Sequence, residues 1–84
     1  MFRLDNLQKH GITFDEASTV FSDPLSLTIH DPLHSENEER FIIIGFSHKN
    51  RILIVVHTER DDNIRIISAR KTTQNERSYY ESNA

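Results

Sequence analysis

The sequence predicts an α+β fold in which two N-terminal helices and one C-terminal helix cover a twisted, four-stranded antiparallel sheet. Helical patterns occur at the two ends of the chain, and four runs of strand-forming residues lie between them. Short connections between successive strands favour an antiparallel meander over parallel crossovers. With 84 residues and a hydrophobic fraction of 36%, the chain is expected to form a single small domain over residues 1–84.

The N-terminal helices are predicted from apolar spacing and end signals. Residues 1–10 have helical spacing and are followed by Gly11, a common helix stop. The second helix is predicted to begin at Thr13, because Thr13 and Glu16 have the spacing of a capping box, in which each side chain binds the other residue's backbone N–H. We expect this helix to end near Phe21.

The four strands are predicted from two kinds of apolar pattern. Alternation over residues 25–30 indicates a half-buried strand, whereas the nearly unbroken apolar run Phe41–Phe46 indicates a central strand that is buried on both faces. Residues 51–60 and 64–71 are rich in β-branched side chains and flank Asp-Asp-Asn, which predicts a hairpin. A second Thr-x-x-Glu box at 73–76 is expected to begin the C-terminal helix.

The register of this hairpin decides which of its polar side chains share a face. With a turn at 61–62, the expected opposite pairs are Thr58 with Arg65 and Val56 with Ile67. Glu59 and Arg70 then share the other face. A turn one residue longer places Glu59 beside Arg65. Both registers stay open, because a slip of one residue moves every side chain to the opposite face.

The charges are unevenly distributed along the chain. The formal net charge is -3, and acidic residues concentrate in 31–39. Basic residues concentrate in the hairpin and the tail: Arg51, Arg60, Arg65, Arg70, Lys71 and Arg77. A local basic patch can act despite an acidic total, since charges beyond a Debye length of about 8 Å are largely screened.

The composition favours an intracellular protein. The chain contains no Cys, no apolar run of membrane-spanning length and no basic-then-apolar leader, so we predict a soluble, cytoplasmic protein with no membrane association. His30, Asp31, His34 and Glu36 match no metal-ligand spacing, and we predict neither a metal site nor a cofactor.

Short motifs follow one another along nearly the whole chain. They are Asn-x-x-Lys-His-Gly at 6–11, Thr-Phe-Asp-Glu-Ala at 13–17, Val-Phe-x-Asp-Pro at 20–24, Glu-Arg at 39–40, Ile-Gly-Phe-Ser at 44–47, Arg-Ile-Leu-Ile-Val-Val-His-Thr-Glu-Arg at 51–60 and Ile-Arg-Ile-Ile-Ser-Ala-Arg-Lys at 64–71. This ordered set resembles the BrnT toxin family. The resemblance implies a RelE-like fold and a ribonuclease toxin of a type II toxin-antitoxin pair. It also implies a BrnA-like antitoxin as partner, with DNA contacted only through that antitoxin.

The start of the chain differs from the family pattern. Family members usually open with an aromatic strand that contains a Trp-Asp pair, whereas this sequence has no Trp and begins inside the helix that follows. We therefore expect the first strand to be missing and an unpaired strand edge to be exposed. Such an edge predicts self-association and a free protein that is less stable than its complex.

Metal-independent RNA cleavage requires four things of a protein. The 2′-hydroxyl must lose a proton, the leaving 5′-oxygen must gain one, the phosphorane charge must be stabilised and the RNA must be held in line. Arg60, Arg65 and Arg70 are the candidates for stabilising the phosphorane, and Arg65 and Lys71 are candidate RNA-binding cations. Glu59 or His57 could act as the base, and Lys9 or His10 as the acid or as a further cation. Tyr79 or Tyr80 could stack on a base or donate a proton. With the resemblance, Arg60 and Arg70 come first and Glu59 next.

Each candidate also has a structural interpretation. Glu59 can pair with Arg65 or Arg70 across the hairpin, and His57 can be a satisfied sheet residue. The two tyrosines can be helix-packing groups, and Lys9-His10 can complement the end of a helix dipole.

Three functions therefore compete. The first is an RNA-cleaving toxin that inhibits translation and is held inactive by an antitoxin. The second is a shortened, inactive homologue that only binds the antitoxin, and the third is a corepressor that reaches DNA through it. A ribbon-helix-helix protein encoded in the adjacent reading frame would support a toxin-antitoxin pair.

Overall fold

The structure, a computed structural model, describes residues 11–31 and 39–83, with Arg60 described by its backbone alone. Its elements in chain order are helix α1 (Phe14–Thr19), a 3₁₀ turn (Val20–Ser22), strands β1 (Leu27–His30), β2 (Arg40–Phe46), β3 (Ile52–Arg60) and β4 (Asn63–Lys71), and helix α2 (Gln74–Asn83). The α+β class, the four strands and the C-terminal helix are confirmed. Of the two predicted N-terminal helices the structure shows one, because the helix predicted over 1–10 lies outside the described residues.

The four strands form one antiparallel sheet in the order β1-β2-β3-β4. Strand β2 has a neighbour on each side, as its apolar run predicts. Burial on both faces is reached only at its centre, by Ile43 and Ile44, whereas Phe46 is 41% exposed. The prediction of a half-buried β1 is wrong, because this short outer strand has one partner in the described sheet and leaves Ile29 48% exposed.

The turn of the β3–β4 hairpin lies at Asp61 and Asp62, which both have positive φ, of 51° and 68°. Two consecutive left-handed residues are the type I′ geometry, whose twist matches that of the flanking strands. Thr58 pairs with Arg65, so the register predicted near this turn is confirmed.

A bulge in β4 changes the rest of the register. His57 pairs with Ile66 and Val56 with Ser68, so Ile67 is the extra residue of the bulge and does not lie opposite Val56, as predicted. The bulge shifts the alternation of β4, and Glu59 and Arg70 consequently lie on opposite faces of the sheet instead of sharing one.

Two apolar clusters define the two faces of the sheet. On the α1 face, helix α1 and the segments beside it pack on the strands through Ile12, Ala17, Val20, Ile43, Leu53, Val55, Ile66 and Ala69. On the α2 face, Tyr80 of helix α2 packs on Ile44, Ile52 and Ile54. No helix in the described part of the chain is long and apolar enough to cross a membrane.

The predicted capping box of α1 is half correct. Thr13 accepts a hydrogen bond from the Glu16 N–H, at 3.1 Å. The fully buried Glu16 carboxylate instead accepts bonds from Arg51 Nε at 2.8 Å and Ser47 Oγ at 2.7 Å, and it is also contacted by Arg51 Nη2. Hydrogen bonding from Arg51 lowers the pKa of Glu16 despite its burial. This ion pair ties helix α1 to the start of β3.

Candidate functional site

A groove on the α2 face brings two of the predicted site residues, Arg70 and Tyr79, together. It has a volume of about 530 Å³ and lies between the open part of the sheet and helix α2. Its lining consists of Ile29, Ile42, Ile44, Ile54, Val56, Arg70, Asn75, Glu76 and Tyr79. The floor is apolar, and the polar groups come from the end of β4 and the first turns of α2. We call this cavity the α2-face groove.

Arg70 is the cation of the α2-face groove, and the Glu76 carboxylate holds its guanidinium. Arg70 Nη1 donates to Glu76 Oε1 at 2.8 Å, and Nη2 donates to Oε2 at 2.7 Å. The same carboxylate accepts the Thr73 N–H at 2.8 Å, so the predicted capping box of α2 is complete. Hydrogen bonding to Arg70 lowers the pKa of Glu76 to about 2, and the reciprocal bond raises the pKa of Arg70. The side chain of Arg70 is nevertheless 42% exposed.

The two adjacent tyrosines of α2 have different environments. Tyr79 is 49% exposed and lines the α2-face groove. Tyr80 is 2% exposed, packs on the sheet and donates its hydroxyl proton to Asp23 Oδ2 at 2.5 Å. Burial and this hydrogen bond raise the pKa of Tyr80 to about 12. Tyr80 is thus placed as a core group, whereas the ring of Tyr79 lines the α2-face groove.

Asp23 anchors helix α2 to the rest of the protein. Besides the Tyr80 hydroxyl, its carboxylate accepts the N–H groups of Phe46 at 2.9 Å and Leu25 at 3.0 Å. Burial raises the pKa of Asp23, but these three hydrogen bonds outweigh it and the pKa is lowered. Asp23 lies so close to strand β2 that a Cβ atom added to Gly45 would be 3.3 Å from Asp23 Oδ2.

Glu59 and His57 lie on the α1 face, away from the α2-face groove. His57 is 1% exposed, and its ring stacks on Phe41 and meets Phe21 edge-on. His57 Nε2 lies 3.0 Å from Glu59 Oε2, and its buried Nδ1 has no hydrogen-bond partner among the described residues. A buried histidine cannot reach a substrate directly, so in this pair Glu59 is the accessible member.

An acidic cavity adjoins Glu59 at the tip of the hairpin. It measures about 380 Å³ and is lined by Glu39, Phe41, Glu59, Asp61, Asp62, Asn63 and Ile64. Four carboxylates repel phosphate, which makes this end of the α1 face a poor surface for RNA. Among the described residues, no group of three or more His, Asp or Glu side chains is placed to hold a metal ion.

The remaining predicted site residues are divided between the faces. Arg65 lies opposite Thr58 on the α2 face, whereas Lys71 lies opposite Leu53 on the α1 face. The side chain of Arg60 is not described, and Lys9 and His10 lie outside the described residues. The structure therefore brings together Arg65, Arg70 and Tyr79 on one face and leaves Glu59, His57 and Lys71 on the other.

Sequence reasoning missed two residues of the α2 face. Glu76 was interpreted as a helix cap alone, although it also binds Arg70, six positions earlier and on another element. Arg40 lies opposite Thr58, across from Arg65, and received no role. Its place in β2 after the acidic residues of 31–39 gave no local signal, since only the strand register reveals its neighbours.

Comparison with known proteins agrees with the motifs. A family model described as "Ribonuclease toxin, BrnT, of type II toxin-antitoxin system" matches residues 3–76. A search of curated proteins finds no match. The matched range covers most of the chain and confirms the resemblance, and such a toxin family implies an antitoxin partner and an RNA target. The chain belongs to the BrnT family of ribonuclease toxins of type II toxin-antitoxin systems.

Proposed function

We propose that this protein cleaves RNA in the α2-face groove without a metal ion and thereby inhibits translation in the cytoplasm. The 2′-oxygen of the substrate attacks phosphorus and loses its proton, and the 5′-oxygen leaves and gains one. The products are a 2′,3′-cyclic phosphate and a 5′-hydroxyl end, so no water or other reactant is consumed in this step.

Arg70 is proposed to stabilise the charge of the phosphorane. The observation that carries this proposal is the pair of parallel hydrogen bonds between its guanidinium and the Glu76 carboxylate. A phosphate presents two oxygens to a guanidinium in the same way, so the carboxylate occupies the position that we assign to the scissile phosphate. Aimed donors of this kind supply much of the rate enhancement when charge develops in a transition state.

Tyr79 is proposed to hold a base next to that phosphate. Its ring is half-exposed in the same groove as Arg70, and unpaired bases stack on aromatic side chains. The apolar floor of the groove adds a surface on which a splayed base can be shielded from water. Arg70 and Tyr79 together thus provide phosphate binding and base positioning.

Proton transfer is assigned to other residues. Glu76 is the carboxylate of the groove, and with a pKa of about 2 it is too weak a base to accept a proton at neutral pH. Glu59 lies on the opposite face and is left out of the proposed site. Lys9 and His10 therefore remain the sequence-based candidates for the acid that protonates the leaving 5′-oxygen, whereas the candidate bases, Glu59 and His57, lie on the α1 face.

The proposed partner is a BrnA-like antitoxin, which holds the toxin inactive. The family match supports an antitoxin, and the motif order supports its BrnA-like identity. The adjacent reading frame is the first place to look for the gene of this antitoxin.

Cleavage by purified variants tests the proposal. The parent protein is expected to cleave single-stranded RNA equally with and without EDTA, and Arg70→Ala to cleave about 10²–10³-fold more slowly. Lys49→Ala is the matched control, because it removes one positive charge from an exposed turn at the far end of β2 and should cleave like the parent.

The alternative functions give different results in the same assay. A folded parent that never cleaves, even when freed from every partner, identifies a binding module instead of an enzyme. If Arg70→Ala cleaves RNA like the parent, the catalytic site does not lie in the α2-face groove. Thermal melting of each variant separates loss of cleavage from loss of fold.

A further inference from the structure

The proposed reaction gives no role to Asn75, a polar residue of the α2-face groove. Asn75 lies in the first turn of α2 and lines the groove together with Arg70, Glu76 and Tyr79. Arg70 and Glu76 bind each other, so their polar atoms are already engaged. Within the part of the chain that the structure describes, no hydrogen bond engages the side-chain amide of Asn75. The groove therefore offers a ligand an amide that need not be released from another contact.

Asn75 and Tyr79 share one face of helix α2. They are four residues apart, a spacing that places two Cβ atoms about 5–6 Å from each other on a helix. Helical side chains lean toward the N-terminus of their helix, so the ring of Tyr79 extends toward the turn that carries Asn75. A base that stacks on this ring has an edge within reach of the Asn75 amide.

The chemistry of an amide favours one base over the other three. An asparagine side chain presents an N–H donor and a carbonyl acceptor side by side. Adenine offers the complementary pair on both of its edges, through N1 and the 6-amino group and through N7 and the same amino group. Guanine, cytosine and uracil offer such a pair on the Watson–Crick edge alone. An adenine can therefore satisfy the amide in either orientation on the ring.

We propose that Asn75 determines base specificity: it hydrogen-bonds to the edge of the base that stacks on Tyr79, and the base that it selects is adenine. This inference rests on the proposed function, because it names the RNA that the α2-face groove cleaves best. Arg70 lines the same groove, so the selected adenine lies next to the scissile phosphate. The preferred substrate is single-stranded RNA in which an adenine adjoins the cleaved bond.

Octanucleotides with a single cleavable bond test this specificity. Each octamer carries 2′-O-methyl groups at every ribose but one, so cleavage is confined to the bond that follows the unmodified ribose. The other bases are uracil, and adenine, cytosine or guanine replaces the base on the 5′ or the 3′ side of that bond. On one of the two sides, the parent should cleave the adenine octamer with a kcat/KM about tenfold above the other three, which is the size of a bidentate base contact.

Two variants of Asn75 assign this preference to the amide. Asn75→Ala should lower kcat/KM for the adenine octamer about tenfold and change it less than about twofold for the other three. Asn75→Asp presents acceptors alone, so its preference should move to guanine, whose Watson–Crick edge has two adjacent N–H donors. A role of Asn75 in folding alone would not change the order of the bases.

The matched control is Gln74→Ala. It removes an amide from the preceding, exposed position of the same turn, and Gln74 is not among the residues that line the groove. This variant should keep the adenine preference of the parent. Thermal melting of all three variants measures any change in folding separately.

Several results would overturn the role of Asn75. The parent would then cleave all four bases equally on both sides of the bond, or prefer a base other than adenine. An adenine preference that persists in Asn75→Ala would assign selection to another residue, and an equal loss on all octamers would limit Asn75 to a role in the fold. A parent that cleaves none of the octamers refutes the proposed function itself, which makes that failure distinct from the others.

Discussion

Changing Glu76 to Gln is expected to destabilise the protein and yet to tighten its binding of RNA. Glu76 holds Arg70 through two hydrogen bonds in the position that we assign to the scissile phosphate. Removing the carboxylate charge therefore weakens a structural ion pair and frees a phosphate-binding cation in one step.

The loss of stability follows from the lowered pKa of Glu76. For a pair shielded from water, the shift of this pKa from 4.5 to about 2 corresponds to a few kcal/mol of folding stability. The Arg70 and Glu76 side chains are 42% and 29% exposed, however, so solvent screening reduces the contribution of the pair to the free energy of unfolding to about 1 kcal/mol. Because the folded pKa is depressed, this stabilisation is present above about pH 4.5 and is lost as the pH falls toward 2. Glu76→Gln should thus melt several degrees lower than the parent at pH 7, about 4–8 °C for a domain of this size, and the two should converge near pH 2.

The gain in RNA binding is limited by the same free energy. A phosphate no longer has to displace a carboxylate worth about 1 kcal/mol, which corresponds to roughly fivefold tighter binding. Fluorescence anisotropy at pH 7 with a 2′-O-methyl RNA octamer, which cannot be cleaved, measures the binding directly, without any contribution from the chemical step.

The matched control for this prediction is Glu81→Gln, which removes the same charge from an exposed position of the same helix. A general effect of net charge would tighten RNA binding equally in both variants. The reasoning fails if Glu76→Gln binds RNA no more tightly than Glu81→Gln, because Arg70 would then not be the cation that the carboxylate keeps from the phosphate.

Two further predictions concern the contacts that position the groove. Tyr80→Phe leaves the ring packed but removes the hydroxyl that binds Asp23. We expect its free energy of unfolding in urea to be lower by about 1–2 kcal/mol. An unchanged unfolding midpoint would show that this bond does not anchor helix α2. Glu16→Gln removes the buried charge that binds Arg51. We expect its free energy of unfolding to be lower by about 2 kcal/mol, with an unchanged m-value. A decrease of less than about 0.5 kcal/mol would contradict the role of this ion pair in holding α1 to β3.

The fold was predictable wherever local signals decide it. The turn at 61–62 requires two residues that tolerate positive φ, and consecutive aspartates before an asparagine supply that tolerance. The bulge at Ile67 was not predictable, because Ile66 and Ile67 are chemically identical and either suits a strand. That one extra residue decides whether Glu59 and Arg70 share a face, so the composition of the site depended on a feature without a sequence signal.

The partners of individual charges were less predictable than the strands. The spacing of Thr13 and Glu16 fits a capping box, but the carboxylate binds an arginine 35 residues later, and local spacing carries no information about such a contact. Tyr79 and Tyr80 differ by about 100° around helix α2. Only the placement of that helix on the sheet decides which ring is buried and which one lines the α2-face groove.

The separation of charge by the sheet reconciles an acidic protein with an RNA substrate. The net charge of -3 argues against nucleic-acid binding when the chain is taken as a whole. In the structure, Glu59 and the acidic turn line a cavity on the α1 face, whereas Arg40, Arg65 and Arg70 lie on the α2 face. The α2 face carries the Glu76 carboxylate as well, but Arg70 neutralises it, so a phosphate there meets less negative charge than beside the four carboxylates of the acidic cavity. Acidic residues on the α1 face then oppose binding there, and together the two faces direct the RNA to one side of the sheet.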